Sequence, residues 1–223
     1  MDILDSTVRQ EFLALRSRCL TNELASSVIH KTEDILKDKF AYGLKSRIDT
    51  EESLSFARVV SEAWHRSDVA VLDVRSKVAP LAIIQFKHMH SYDVLKSAAS
   101  AASGKYEYRR RTREDFRLKS QRWASDQTLI YAVLSATNSF TPSTGKMGNF
   151  ESSYLRNFDS ALGKQSGDEI MQVWFNEVRG WYPGKGKLLP MVLEGGEYYG
   201  ISVKFSCYLI GPYSREEIMN GRW

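Results

Sequence analysis

The sequence predicts an α/β protein in which a mixed β-sheet is flanked by helices. Segments with helical spacing alternate with short runs rich in Val, Ile and Phe, in the order helices, strand pair, helix, strand, helix, strand pair. A chain that mixes the two kinds of segment in this way buries its sheet against helices. No repeat or Pro/Gly-rich linker divides the 223 residues, so we expect a single domain.

The N-terminal part of the chain is predicted to be mainly helical. Apolar spacing over residues 7–39 indicates two helices with a break near Thr21 and Asn22, either of which can cap the second helix. Gly43 is expected to end this helical region. Residues 53–64 suit either a short helix or a strand, because so short an apolar run does not distinguish the two.

A strand pair is predicted next, over residues 69–74 and 80–88, joined by a short turn. Residues with β-branched and aromatic side chains dominate both runs, and Pro80 suits the first position of a strand. His88 and His90 share one face of the second strand. Without a third ligand in view, we expect ordinary strand residues there and no zinc site.

The remaining segments continue the alternation. A helix is predicted over residues 92–124 with a break at Gly104, followed by a strand over residues 128–137 and a helix over residues 150–178. Two further apolar runs flank Gly195–Gly196. They indicate a terminal β-hairpin that is hinged at the two glycines.

The predicted strand pair carries polar side chains where a buried strand normally has none. Gln85 and Lys87 share one face of their strand, because side chains alternate between faces. The turn places Asp68 opposite about residue 86, and therefore beside both of them. Asp73 falls nearer the turn and is expected to be a solvent-facing or turn-side acid and not a ligand.

A carboxylate, an amide and an ammonium together suit phosphodiester hydrolysis. Carboxylate and carbonyl oxygens are hard ligands for Mg²⁺, which takes its remaining ligands from water and phosphate. A neighbouring lysine can orient or deprotonate the attacking water, or stabilise charge that develops on the phosphate. In the alternative interpretation, Asp68 only begins a strand and Lys87 protects an exposed strand edge from aggregation.

The pattern of Asp68 followed by Gln85-Phe86-Lys87 at a strand end resembles the PD-(D/E)XK nuclease superfamily, in a variant where Gln replaces the middle acid. The resemblance implies a restriction-endonuclease-like core, with the order helix, strand pair, helix, strand, over about residues 22–137. Residues 150–213 would then be a C-terminal elaboration. It further implies a metal-dependent nuclease in which Asp68 and Gln85 bind Mg²⁺, with Mn²⁺ as a substitute, and Lys87 is the catalytic lysine.

The resemblance also implies a metal-binding glutamate on the helix that precedes the strands. Three glutamates compete for this role, namely Glu23, Glu33 and Glu52. The named candidates for the metal site are Glu23 and Glu52. The sequence leaves the choice open. Because Gln85 replaces an acidic ligand, the rival hypothesis is a nuclease-like module that binds nucleic acid without cleaving it.

Residues 105–123 are strongly basic, with eight Lys or Arg against three acids. Basic residues with interleaved aromatic residues suit contact with phosphates and stacking on bases. A second basic segment, rich in glycine, spans residues 180–187. The candidate nucleic-acid-binding residues are Arg109, Arg110, Arg111, Arg113 and Lys185. The alternatives are a solvated helix face, with Glu114 and Asp115 paired to basic neighbours, or a protein-interaction domain with a basic surface.

Composition is compatible with a cytoplasmic protein that acts on DNA. The net charge of +4 and the pI of about 9.0 favour a polyanionic partner. The acidic start of the chain does not resemble a secretory signal, and no apolar run reaches the roughly 20 residues that span a bilayer. Cys19 and Cys207 lie far apart, which favours a reducing compartment. We expect no membrane contact, and a homodimer if both DNA strands are cut.

Overall fold

A computed structural model describes residues 2–19, 24, 32–62, 65, 67–75, 80–90, 104–140, 167–182, 187–198 and 201–221. The helices are α1 (Asp2–Arg18), α2 (Thr32–Thr50), α3 (Gly104–Trp123), α4 (Gly167–Trp181) and α5 (Arg215–Met219). The strands are β1 (Ala57–Ser61), β2 (Val69–Asp73), β3 (Pro80–His90), β4 (Leu129–Phe140), β5 (Leu188–Tyr198) and β6 (Ile201–Tyr213). The predicted mixed sheet flanked by helices is confirmed.

The described strands form one six-stranded sheet in the order β1-β2-β3-β4-β6-β5. Strands β3 and β4 are parallel, whereas the other neighbouring pairs are antiparallel. Parallel neighbours need a long crossover connection, and α3 lies in the segment that connects these two strands. The predicted strand pair and the following helix and strand are therefore all present.

Helices cover both faces of the sheet. On one face α1 and α2 pack against apolar side chains that include Ile84 and Phe86 of β3. On the other face the core contains Met89 of β3, Phe116 of α3 and Trp174 of α4. Odd-numbered side chains of β3 therefore face α3, because successive side chains alternate between the two faces.

Gly43 does not end a helix, so that prediction is wrong. Helix α2 continues through this residue. Glycine is required here for a different reason, since a side chain at this position would overlap the carboxylate of Glu11. Glu11 is fully buried, and its two oxygens lie 2.6 Å from the Nε atoms of Arg18 and Arg47. The glycine allows α1 and α2 to approach closely enough to enclose this carboxylate.

Two further segments test predicted boundaries. Of the two alternatives for residues 53–64, the strand is observed as β1, after a 3₁₀ turn at Glu52–Leu54. Gly195–Gly196 lies inside β5 at a shift in its register with β6, so the predicted hinge there is wrong. A Cβ atom at Gly195 would lie 2.7 Å from the Phe205 ring, which explains the need for glycine.

Some predictions concern parts of the chain that the structure does not describe. The helix predicted from residue 92 is described only from Gly104, which begins α3, and the one predicted from residue 150 only from Gly167. The predicted break at Thr21 and Asn22 lies outside the described residues. No helix among the described residues has both the length and the apolar character required to cross a bilayer.

Candidate active site

The site is built on an edge of β3 that extends beyond its neighbour β2. Val69, the first residue of β2, pairs with Ile84, but β3 continues to His90. Two carboxylates occupy this open edge. The Phe86 amide donates a hydrogen bond of 2.7 Å to Asp68 Oδ2, and the His88 amide donates one of 3.0 Å to Glu33 Oε2.

The predicted grouping of Asp68, Gln85 and Lys87 on one side of the sheet is observed. Val69 pairs with Ile84, so the same register places the preceding residue, Asp68, opposite Gln85, one residue from the expected position. The difference begins at the turn, where Leu72 pairs with Pro80, two residues from the expected register, and the register shift between Val71 and Leu72 restores one of the two. All three side chains belong to the face of the sheet that α3 covers.

Glu33 joins this group from the first turn of α2. Its carboxylate lies close enough to Asp68 and Lys87 for their charges to affect its protonation. Glu52 is exposed beyond the other end of α2, and a helix of 19 residues is about 28 Å long. Glu23 lies outside the described residues. Glu33 lies in the first turn of α2 because this helix begins at Thr32. The predicted helix boundaries did not include a helix start at this residue.

Both carboxylates have a pKa above the ordinary value. Burial is the main cause for Glu33, and the nearby charge of Asp68 adds to it, although Lys87 and the His88 amide oppose the rise. Burial likewise raises the pKa of Asp68, against the Phe86 amide and the charge of Lys87. Because burial disfavours the ionised form of both carboxylates, a bound cation would stabilise that form.

Lys87 extends from β3 toward α3. Its Nζ atom lies 2.9 Å from Oδ2 of Asp115, an acid within the basic helix. Burial lowers the pKa of Lys87, but Asp115, Glu33 and Asp68 together outweigh it and raise the pKa above its ordinary value. The side chain is therefore a positively charged ammonium at neutral pH.

The oxygen atoms of this group fit a hard divalent cation. Asp68 and Glu33 each use one oxygen on a backbone amide, so each retains a second one that has no partner among the described residues. Gln85 is buried on the same strand, and its Nε2 atom lies 3.5 Å from the Ile84 carbonyl, so an amide oxygen is available in its side chain. Two carboxylates and an amide oxygen are ligands of the kind that Mg²⁺ uses together with water and phosphate.

A cluster of three or more His, Cys, Asp or Glu side chains suited to a metal is absent among the described residues. The group at β3 has only two carboxylates, Glu33 and Asp68, beside the amide of Gln85. Metal binding by Asp68 and Gln85 stays a prediction, and Glu33 is the one of the three competing glutamates that the structure places beside Asp68.

Two further lysines lie near Asp68 and were not predicted. Lys37, one turn after Glu33 in α2, is almost fully buried and forms ion pairs with Asp34 at 3.0 Å and with Glu62. Despite its burial, these partners raise its pKa. Lys119 of α3 also acts on Asp68 through its charge. Both cations increase the positive potential around the site.

The arginines of α3 point in different directions. Arg109 and Arg113 are partly buried, and their charges oppose the rise in the pKa of Tyr182 that burial causes. Arg110 is exposed and forms a 2.8 Å ion pair with Glu114. The side chains of Arg111 and Lys185 lie outside the described part of the structure. Two exposed basic residues that were not singled out as candidates are Arg117 and Arg122.

The other polar residues of the hairpin have structural partners. The ring nitrogens of His88 lie 2.9 Å from the hydroxyls of Ser135 and Thr137, and burial lowers its pKa to about 3, so the ring is neutral. Asp73 forms a 2.8 Å ion pair with the exposed Arg75 near the turn. Asp73 is therefore a turn-side acid, one of the two roles expected, with its side chain partly buried, and the expectation that His88 is not a zinc ligand stays a prediction. The side chain of His90 is outside the described residues.

An open pocket of about 590 Å³ lies elsewhere, between α1 and α2. Its lining residues are Ser17, Arg18, Ile35, Asp38, Lys39 and Tyr42. Helical periodicity places the α2 residues of this pocket on the side of the helix away from Glu33 and Lys37. The pocket is therefore separate from the carboxylates at β3, whose mutual geometry is the better guide to chemistry.

Similarity to known proteins does not provide independent evidence for this site. Comparisons of the chain with protein-family models, with curated proteins and with solved structures find no significant match. We therefore infer function from the grouping of Glu33, Asp68, Gln85 and Lys87 and from the fold that brings these residues together.

Proposed function

We propose that the protein is a metal-dependent nuclease that hydrolyses phosphodiester bonds in DNA, with a restriction-endonuclease-like core of the PD-(D/E)XK type. The observation that carries the proposal is that Glu33 and Asp68 accept hydrogen bonds from neighbouring β3 amides and lie within reach of the Lys87 charge, with Gln85 on the same strand as Lys87. The elements α2, β2, β3, α3 and β4 follow the order of helix, strand pair, helix and strand that the resemblance implies, with β1 as an additional strand before the pair.

Each residue of the group has a chemical role in this proposal. Glu33, Asp68 and Gln85 would hold Mg²⁺, which when bound supplies positive charge at the phosphate and lowers the pKa of its water. Water attacks phosphorus and gives up a proton to solvent, and the new P–O bond forms as the bond to the leaving oxygen breaks and that oxygen takes up a proton. The Lys87 ammonium stabilises the negative charge that develops on the phosphate oxygens.

The basic surface of α3 supports nucleic acid as the substrate. Arg110 and Arg117 are exposed and lie seven residues apart, which is about two helical turns along one side of the helix. The same helix contributes Asp115 to the site, so a DNA backbone that reaches the site can also contact this helix. The net charge of +4 is favourable for such a partner.

The test is incubation of supercoiled plasmid with the protein and Mg²⁺, followed by gel electrophoresis. We expect cleavage that EDTA abolishes and that Asp68→Ala or Lys87→Ala reduces by at least about a hundredfold. Asp73→Ala is the matched control, because this acid belongs to the same hairpin but pairs with Arg75. The proposal fails if wild-type protein leaves the plasmid intact, or if both site variants cut as well as it does.

A nucleic-acid-binding module without catalytic activity is the second candidate. Gln85 favours it, because an amide in place of a carboxylate removes one negative charge from the cation site. Titration with Mn²⁺ in a calorimeter separates the candidates: a nuclease takes up the metal, whereas a pure binding module binds only nucleic acid, with a steep salt dependence.

A further inference from the structure

Helix α3 carries two adjacent acids whose partners differ. Glu114 pairs within the helix, with Arg110 one turn away at 2.8 Å. Asp115 instead reaches out of the helix, and its Oδ2 atom lies 2.9 Å from Nζ of Lys87 on β3. Only the second contact links the basic helix to the candidate active site.

Lys87 lies among three carboxylates but forms an ion pair with one of them. Within the part of the chain that the structure describes, that partner is Asp115, while Asp68 and Glu33 act on the ammonium through their charges without an ion pair. An ammonium is attracted by all three acids. Without Asp115, the remaining attraction draws Lys87 toward Asp68 and Glu33, where it competes with a cation.

The Lys87–Asp115 pair contributes little to the stability of the fold. The exposed fractions of the two side chains are 24% and 43%, and ion pairs of this exposure typically stabilise a protein by only about 0–1 kcal/mol. Its effect on the direction of the lysine side chain is therefore the more significant one.

We propose that Asp115 is a positioning residue, which holds the Lys87 ammonium apart from Asp68 and Glu33 so that these carboxylates remain open to a divalent cation. The inference rests on the proposed function, because it concerns the same metal site. In this arrangement Asp115 also turns the ammonium toward α3, the side from which a DNA phosphate approaches.

Calorimetric titration of the full chain with Mn²⁺, without substrate, tests this role. We expect Asp115→Asn to weaken Mn²⁺ binding roughly three- to tenfold, in the range of coupling between contacting residues. In a Lys87→Met background the same substitution should have no effect, because the side chain that it positions is gone. Glu114→Gln removes the same charge from the neighbouring residue and serves as the matched control, with Mn²⁺ affinity unchanged.

Each outcome supports or overturns the role of Asp115. If Asp115→Asn binds Mn²⁺ as wild type does, or weakens binding equally in the Lys87→Met background, Asp115 does not act through Lys87, although the metal site stands. If wild-type protein takes up no Mn²⁺, the proposed function fails at the metal site and the positioning role fails with it. Asp115→Glu, which retains the charge, should keep most of the affinity and guards against a folding defect in the asparagine variant.

Discussion

Glu33 and Asp68 accept hydrogen bonds from alternate backbone amides of one strand, those of His88 and Phe86. Amides two residues apart on a strand are separated by about 7 Å, so the two carboxylates lie close together. A backbone edge that a neighbouring strand would normally cover is covered here by two acids. Because both acids are partly buried and close together, their charges oppose the stability of the fold.

We expect Asp68→Asn to raise the thermal stability of the protein at neutral pH. The asparagine carbonyl can still accept the bond from the Phe86 amide, but the unfavourable charge is removed. Differential scanning fluorimetry at pH 7 should show a midpoint higher by a few degrees, since each 1 kcal/mol corresponds to about 2–4 °C in a domain of this size. A gain of this kind is common when a site residue is replaced.

The gain should depend on pH in a defined direction. The folded-state pKa of Asp68 lies above its ordinary value of 3.8, so wild-type stability is fully present below that value and declines as the pH rises through the folded-state pKa. The difference between the variant and wild type should therefore be small at pH 3 and grow toward pH 7. A difference that is constant over this range contradicts the charge explanation.

A second expectation distinguishes two glutamates at opposite ends of α2. Glu33→Gln should reduce Mg²⁺-dependent DNA cleavage and Mn²⁺ affinity by at least about tenfold, because it removes a charged ligand of the proposed metal site while retaining an acceptor for the His88 amide. Glu52→Gln, at an exposed position after the same helix, should leave both unchanged. Equal effects of the two substitutions would remove Glu33 from the site.

The orientation of the α3 arginines predicts separate effects on DNA binding and stability. Joint replacement of the exposed Arg110 and Arg117 by Ala should lower the slope of log K against log salt by up to about 1.8, from about 0.9 for each lost phosphate contact on duplex DNA. Replacement of Arg109 and Arg113 by Ala should mainly lower the unfolding midpoint, because these guanidinium groups lie near buried Tyr182. Filter binding in EDTA measures the slope, and the reverse pattern would assign DNA contact to the inner pair.

Two helical glycines should respond oppositely to the same substitution. Gly43→Ala is expected to cost about 2–4 kcal/mol, since its methyl group would displace the buried Glu11 carboxylate from its arginine partners. Gly180→Ala in α4 meets no atom within 4 Å and should stabilise the helix by up to about 1 kcal/mol. Urea unfolding of both variants provides the measurement. A neutral Gly43→Ala would show that α1 and α2 can separate without loss.

Local geometry made part of the site predictable from sequence. Side chains alternate along any strand, so Gln85 and Lys87 had to share a face once the strand was identified, and a short turn had to bring Asp68 near them. The position opposite Asp68 was missed by one residue because β2 and β3 pair in a different register next to the turn, at Leu72 and Pro80, and the shift near Val71 recovers only part of that difference. The prediction that Asp68 lies near Gln85 and Lys87 does not depend on this one-residue difference, because it requires only proximity at the end of the strand.

The sequence by itself determined the order of helices and strands and the trio of Asp68, Gln85 and Lys87, because backbone periodicity is a local property. Only the tertiary structure decided which glutamate joins them and that Asp115 pairs with Lys87. These contacts join segments that are distant along the chain. Their geometry is set by how helices α2 and α3 pack on opposite faces of the sheet, and that packing leaves no periodic signal in the sequence.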